Sequence, residues 1–201
     1  MRFLPIAALL VVPFVSAVSI QSERLPCNSP VVTSEKYIGP DKNVKVETVV
    51  CNDPPAGSEL QKRQSTNVCG ATCDTNCFAG AGTGPNPNDC RVIVNALKYE
   101  SANSGDQFPI RAENSTGAVT MTYSTCKTFI DNLVGGTLTY CRNDWARFIF
   151  KLRVVVPTDI RFQAAVVDYV AFNCQAQQNA HGGNCFARDQ RWMIQVNRSP
   201  A

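Results

Sequence analysis

The chain has 201 residues, ten of them cysteines, and a formal net charge of +3 at pH 7. This length fits one modest domain with processing segments. The basic residues are scattered and form no Lys/Arg stripe of the kind that binds a phosphate backbone, which disfavours a nucleic-acid partner. No stretch reaches the roughly 18 apolar residues of a membrane-spanning helix, so no membrane span is expected.

Residues 1–17 have the pattern of a secretory signal peptide. Arg2 supplies the positive charge, an apolar run follows, and "VSA" at 15–17 is a small-residue cleavage site. The sequence therefore predicts a secreted, extracellular protein.

Residues 18–63 contain several prolines and little periodicity, and they end in "LQKR". Lys62 and Arg63 resemble a dibasic processing site. We interpret 18–63 as a pro-segment without a site of its own and 64–201 as the domain that carries the function. The alternative is a chance Lys-Arg pair in a flexible linker.

Regular elements are predicted mainly after residue 85. A helix is expected over residues 86–101 ("NPNDCRVIVNALKYES"), capped by Asn86 or Asn88. "QFPIRAE" predicts an edge strand because Pro109 cannot donate to a ladder, and the alternation in "GAVTMTYST" predicts a second strand. "CKTFIDNL" is interpreted as a short helix that ends at Gly135 and Gly136.

The later elements follow the same reading. "TLTYC" predicts a strand, "NDWA" the start of a helix capped by Asn143 or Asp144, and "VVDYVAFNCQ" a further helix. "QRWMIQV" alternates and predicts the last strand, with Trp192 in the core. Tyr99 and Trp145 are also assigned to the core.

The cysteines predict disulfide bonds, because a secreted chain matures in an oxidising compartment. Both sides of the dibasic pair hold an even number. Cys27 is expected to pair with Cys51, and the remaining eight to pair among themselves: Cys69, Cys73, Cys77, Cys90, Cys126, Cys141, Cys174 and Cys185. The pairing among these eight stays open, although Cys174 and Cys185 are near enough in sequence to close one small loop. The spacing of Cys69, Cys73 and Cys77 is wider than that of usual zinc motifs, so no metal is predicted.

One segment, "NCQAQQNAHGGNC" at 173–185, concentrates amide side chains and holds the only histidine, His181. Planar amides and charged groups suit sugar hydroxyls, and Gly182 and Gly183 would let backbone approach a ligand closely. We interpret it as one polar loop and a glycan-recognition surface. Its candidate residues are Gln175, Gln178, Asn179, His181, Asn184, Asp189 and Arg191. A glycosylation acceptor is predicted at Asn114 in "NST".

Five blocks, "NPNDCRVIVNALKYES", "TYSTCKTF", "CRNDWA", "VDYVAFNCQAQQNAHGGNC" and "DQRWMIQV", together resemble the secreted mushroom glycan-binding proteins with a Y-three-type lectin domain. The resemblance covers most of residues 69–196. It implies an α+β fold: a single-domain, disulfide-stapled α/β/α sandwich around an antiparallel sheet. It also implies glycans or glycoproteins as partners, a role in defence, no cofactor, and a homodimer joined through a sheet edge.

The sequence offers little support for a catalytic site. A nucleophilic triad needs a base beside its nucleophile; His181 is the only histidine, and no "GxSxG" elbow occurs. The sequence therefore predicts no enzyme. The alternatives are a secreted cysteine-rich effector or toxin-like interaction protein and, third, a small secreted hydrolase or ribonuclease.

Residues 147–164 depart from the family pattern, in which one helix runs on after "DWA". The segment is rich in β-branched residues and contains Pro157, which breaks the helical period. It is either a lineage-specific loop or, as we infer, an intron retained in the coding sequence.

The transcript tests this inference directly. Sequencing the mature message between the codons of Trp145 and Tyr169 is expected to show an uninterrupted reading frame that lacks the codons of residues 147–164. A mature message that still encodes them would refute the retained intron.

Overall fold

The computed structural model describes residues 30–51, 66–78, 84–112, 116–146, 174 and 182–199. Nine strands and two helices lie in these ranges. They are β1 (Val31–Ile38), β2 (Val44–Cys51), β3 (Cys73–Cys77), α1 (Pro87–Ser104), β4 (Gln107–Ile110), β5 (Thr116–Tyr123), β6 (Cys126–Asn132), β7 (Leu138–Cys141), α2 (Arg142–Ala146), β8 (Gly182–Ala187) and β9 (Trp192–Arg198). No described helix is long and apolar enough to cross a membrane.

Seven of the strands form one antiparallel sheet in the order β1-β2-β5-β6-β9-β8-β3, and β4 pairs with β7 in a small second sheet. Because side chains alternate along a strand, the large sheet has two faces. The face that meets α1 is called the inner face, and the opposite one the outer face. The predicted α+β class with an antiparallel sheet in a single domain is confirmed.

Helix α1 covers the inner face with one apolar stripe. Its buried residues, Cys90, Ile93, Val94, Ala96 and Leu97, follow helical spacing and join the core with inner-face side chains of the sheet. The predicted start is confirmed with Asn86 as the cap, since its side chain accepts a hydrogen bond from the Asn88 amide at 3.0 Å.

Two aromatic side chains close the core beside α1. Trp145 and Trp192 are fully buried, as predicted; the Trp145 indole stacks on Phe108 and donates to the Thr128 hydroxyl at 3.2 Å. Tyr99, which was also assigned to the core, is 43% exposed on α1, so that prediction is wrong. Its position lies outside the stripe of Ile93, Ala96 and Leu97.

Several other predicted elements are confirmed, and one is wrong. β4, β5, β7 and β9 lie where the sequence places strands, with Pro109 in a two-stranded sheet. Residues 126–132, expected to be helical, form strand β6, which pairs with β5 on one side and β9 on the other. Ser124, at φ 48°, turns the chain tightly so that Cys126 lies opposite Tyr123, and pairing on both sides outweighs the local helical spacing.

The start of α2 also differs in its cap. The helix begins at Arg142, so neither Asn143 nor Asp144 precedes it. The Asn143 amide instead donates to the carboxylate of Asp106 at 2.7 Å, and the Asp144 carboxylate accepts from the Gly70 amide at 2.7 Å. The predicted helix at "VVDYVAFNCQ" and the segment 147–164 lie outside the described residues, apart from Cys174.

The largest addition to the predicted fold is the hairpin β1–β2, in the segment interpreted as pro-segment. Ile38, Val44 and Val46 enter the core, and β2 pairs with β5. Gly39, at φ 90°, turns the hairpin beside α1, where a Cβ would lie 3.0 Å from the Cβ of Ala96. On the outer face, hydrogen bonds that Lys45 donates to Glu47 and Glu35 raise the pKa of its ammonium.

The cysteines pair as Cys69–Cys141, Cys73–Cys185, Cys77–Cys174 and Cys90–Cys126, which confirms that the eight cysteines after the dibasic pair bond among themselves. Cys174 and Cys185 do not bond to each other. Both bridge to β3, which leaves the segment between them anchored at two points on one strand. Cys51 is disulfide-bonded as well; Cys27 and Asn114 lie outside the described residues.

Asp89 links the start of α1 to the β5–β6 turn and generates a prediction on pH. Burial raises the pKa of this carboxyl, but hydrogen bonds from the side chain and the amide of Thr125, and from Ser124, outweigh burial and lower the pKa below its usual range. A lowered pKa in the folded state adds stability above the unfolded value, and that stability is lost as the pH falls through the folded value.

We therefore expect Asp89→Asn to lower the free energy of unfolding at pH 7 by about 1–2 kcal/mol and to flatten its decline below about pH 4. Urea unfolding at a series of pH values measures both effects. Asp41→Asn, at an exposed position, is the control for a general loss of charge; a variant at Asp89 with an unchanged acid profile would contradict the assignment.

Candidate functional site

Four of the seven predicted glycan-binding residues, Gln175, Gln178, Asn179 and His181, lie outside the described residues. Of the other three, Asn184 is separated from Asp189 and Arg191. Asn184 lies in β8, whereas Asp189 and Arg191 lie in the turn that joins β8 to β9. The stretch 182–185, which was expected to be loop, is therefore strand.

The packing of β8 against β9 requires a glycine at position 182. Its φ is 146°, and a Cβ at this position would lie 2.2 Å from the carbonyl oxygen of Val196 on β9. The missing side chain therefore allows a close backbone approach between two strands. This close approach explains Gly182 without a ligand, and the predicted approach of backbone to a ligand stays a prediction.

Asp189 and Arg191 bind each other. The Asp189 carboxylate accepts from the Arg191 amide at 3.2 Å and from its guanidinium Nε at 2.7 Å. The Arg191 side chain is only 11% exposed and lines a small cavity with residues 134–138. This pair holds the turn in shape, which favours a structural role over ligand contact.

Asn184, in contrast, belongs to an accessible group of side chains at one end of the outer face. Its partner in the ladder is Asn76 of β3. Two residues further along β8, on the same face, Phe186 lies opposite Asp74. Arg188 follows at the strand end and binds the Asp74 carboxylate at 3.1 Å. We call this group the edge patch: Asp74, Asn76, Asn184, Phe186 and Arg188.

The edge patch combines an aromatic ring with polar groups of three kinds. The Asn76 amide donates to the Asn184 amide oxygen at 3.4 Å. Asn184 and Phe186 are half-buried, and Asn76 is exposed. The Asp74 and Arg188 side chains are 67% and 68% exposed, so their ion pair is open to solvent and able to exchange partners.

Two disulfides fix this arrangement. Cys73 and Cys77 bridge to Cys185 and Cys174, and alternation along β3 then directs Asp74 and Asn76 to the outer face. The other four members of the edge patch were not predicted from the sequence: Asp74, Asn76, Phe186 and Arg188. The spacing "CDTNC" carries a usable signal. Two cysteines four residues apart on a strand share one face, so Asp74 and Asn76, which alternate with them, lie on the other face.

A second concave feature lies on the inner face. It is a groove of about 700 Å³ between the hairpin, β5, α1 and β4, with an apolar floor that includes Val119 and Met121. Arg142 lies at its rim, where its guanidinium carbon is 5.3 Å from the Phe108 ring centroid. Burial lowers the pKa of Arg142, against the opposite effect of Glu100 and Asp106. One wall of this groove belongs to residues 33–50.

Several described carboxylates bind backbone amides. Asp89 accepts from the Thr125 amide, Asp106 from that of Asn143 and Asp144 from that of Gly70. Asp144 also lies beside Cys69 and Cys141, but those two sulfurs are bonded to each other in a disulfide. A disulfide leaves no thiolate for a metal ion, so this cluster is explained by its structural contacts.

The contrast between the two ion pairs yields a prediction. Asp189→Ala removes the partner of a nearly buried guanidinium and is expected to lower the free energy of unfolding by about 1–3 kcal/mol. Asp74→Ala removes the partner of an exposed guanidinium and is expected to change it by less than about 0.5 kcal/mol. Urea unfolding of the two variants at pH 7 gives the comparison; equal losses would contradict the separation into a structural pair and a surface pair.

The chain matches no protein-family model, and it shows no significant similarity to a curated protein or to a solved structure. The edge patch therefore rests on the described residues of this chain alone, with its aromatic ring, its amide pair and its open ion pair on a disulfide-anchored sheet edge.

Proposed function

We propose that this protein is a secreted, carbohydrate-binding protein that recognises glycans non-covalently and without a cofactor. The observation that carries the proposal is the edge patch. A sugar ring offers an apolar face that packs on an aromatic ring, and hydroxyls that bind amides, carboxylates and guanidinium groups. Phe186, the Asn76–Asn184 amide pair and the Asp74–Arg188 ion pair supply these groups side by side on two neighbouring strands.

The position of the patch adds support. Residue 182 begins β8, so the amide-rich segment 175–181 enters the sheet only two residues before Asn184. The chain therefore connects these amides and His181 directly to the strand that carries Asn184. In this proposal strand-borne groups form a fixed base, and the segment 175–181 adds further hydrogen-bonding groups.

Binding is favoured over catalysis because the described carboxylates near the core hold the backbone. A hydrolase needs an acid and a base placed at a reacting bond, whereas Asp89, Asp106 and Asp144 accept hydrogen bonds from amides. The four disulfides fit secretion, because such bonds persist in an oxidising environment. A homodimer through a sheet edge belongs to this proposal as an expectation from the family resemblance.

A glycan array tests the function, and single substitutions test the site. The full secreted chain is expected to bind a defined subset of fungal, insect or nematode-type glycans. Asn184→Ala and Phe186→Leu are each expected to weaken that binding about three- to tenfold, through the loss of a hydrogen bond or of ring contact. Affinity is measured by calorimetry with the strongest array ligand.

The matched control is Tyr99→Ala, which removes an exposed aromatic side chain from α1 and is expected to leave affinity unchanged. Circular dichroism of each variant checks that the fold is retained. Failure of the wild-type chain to bind any glycan refutes the function. Binding that Tyr99→Ala weakens as much as Asn184→Ala refutes the edge patch as its site.

A further inference from the structure

The β1–β2 hairpin fills a pairing edge that would otherwise be open. β2 pairs with β5 in seven consecutive registered positions, from Lys45 opposite Thr122 to Cys51 opposite Thr116. In the residues that the structure describes, the five strands β5-β6-β9-β8-β3 form a continuous sheet by themselves. Without the hairpin, β5 would be their outermost strand, with its backbone groups on that side unpaired.

The hairpin makes buried apolar contacts at both of its ends. Near the turn its side chains enter the main core, and towards the other end Val49 and Cys51 form a small buried cluster with Ala118 of β5. Ile38, Val44 and Val46 are at most 5% exposed. Towards the other end of the hairpin, Ser34, Thr48 and Val50 line the groove of about 700 Å³. The hairpin is therefore held by a ladder of seven registered positions and by five buried apolar side chains, all of them non-covalent contacts that a bound segment can break and re-form.

No described disulfide ties the hairpin to the rest of the sheet. The four bridges join residues between 69 and 185 to one another. Cys51 is disulfide-bonded, but each of those eight cysteines already has its partner within that set. Only the main chain between residues 51 and 66 then connects the hairpin covalently to the domain, and Lys62 and Arg63 lie in that connection.

The two sides of the hairpin differ in how they are protected. β1 is the outermost strand on this side of the described sheet; it has a register shift between Val32 and Ser34 and carries Glu35 and Lys36. Bulges and charges of this kind discourage pairing with another strand. β5 is rich in residues that favour strands, including Val119, Thr120 and Thr122. The β5 edge, which the hairpin covers, therefore favours pairing with another strand, whereas the outer edge of β1 disfavours it.

We infer that the β5 edge is a binding site for a β-hairpin, that residues 31–51 are its built-in occupant, and that a cut after Arg63 converts this occupant into an exchangeable, non-covalent one. The inference does not rest on the glycan proposal. It gives the segment interpreted as pro-segment a function, which is to complete the sheet and cover the β5 edge until the chain is cut.

The test compares the cut and uncut protein. The full chain and the uncleavable variant Arg63→Gln are treated with a dibasic-specific endoprotease, and mass spectrometry verifies the cut. Hydrogen exchange is then measured on both. β5 amides that donate to β2 are expected to exchange at least tenfold faster in the cut chain, whereas those of β9 stay unchanged. Equal exchange at β5 in the two proteins overturns the inference.

A second measurement follows exchange of the occupant directly. A fluorescent peptide of residues 30–51 carrying Cys51→Ser is added to both proteins, and its anisotropy is recorded. The peptide is expected to bind the cut chain at least tenfold more tightly than Arg63→Gln, in which the edge is filled. A matched peptide that also carries Val44→Ser and Val46→Ser keeps the backbone groups of the ladder but loses two apolar side chains near the turn. It should bind at least tenfold more weakly than the first peptide.

Each remaining outcome has a defined meaning. Equal binding of the peptide to cut and uncut protein places it elsewhere on the surface and overturns the inference, as does the absence of binding to the cut chain. Displacement of the fragment by a second copy of the domain, seen as a dimer by light scattering only after the cut, supports the β5 edge as a pairing site. A dimer of the same size in Arg63→Gln contradicts it.

Discussion

Two disulfides on one short strand determine the arrangement at the candidate site. β3 has five residues and, among the strands that the structure describes, lies at the margin of the sheet and pairs only with β8, so its ladder alone would hold it weakly. Cys73 and Cys77 anchor both of its ends. Because both cysteine side chains lie on the inner face, alternation along the strand places Asp74 and Asn76 on the outer face, beside Asn184 and Phe186. The edge patch follows from this covalent constraint.

The opposite margin of the sheet is built on another principle. There the hairpin β1–β2 adds two strands through backbone hydrogen bonds and five buried apolar side chains, and no described bridge crosses to it. One end of the sheet is thus covalently fixed and the other is held by contacts that a cut in the chain could weaken. Separating the two margins in this way allows the hairpin to leave without disturbing the patch at the far end.

The sequence predicted the elements whose signals are local. The Asn86 cap with the apolar stripe of α1, and the alternation in β5 and β9, each need only a few neighbouring residues. β6 was mistaken for a helix because its strand character depends on partners far along the chain, β5 and β9. The hairpin was missed because β1 is polar in its centre and exposed along most of its length, and because the valines of β2 become core residues only against α1 and β5.

The site was predicted in part for a similar reason. Amide density pointed to Asn184, which does lie in the edge patch, but the same signal included Asp189 and Arg191, whose carboxylate and guanidinium neutralise each other in a turn. Composition cannot separate these cases, because both groups are polar and close in sequence. The missing partners, Asp74 and Asn76, lie more than a hundred residues before Asn184, and only the bridges of β3 bring them near.

A row of amides across three strands gives the patch its rigidity. Asn76, Asn184 and Gln195 are opposite one another in the registers of β3, β8 and β9, and they pass from exposed through half-buried to 1% exposed. Amides that sit on strands beside a buried neighbour lose little further freedom when a ligand binds, which reduces the entropic cost of recognition. The same sheet that buries Gln195 therefore orients Asn184 for contact at the surface, and the recognition surface is an outward continuation of the folded core.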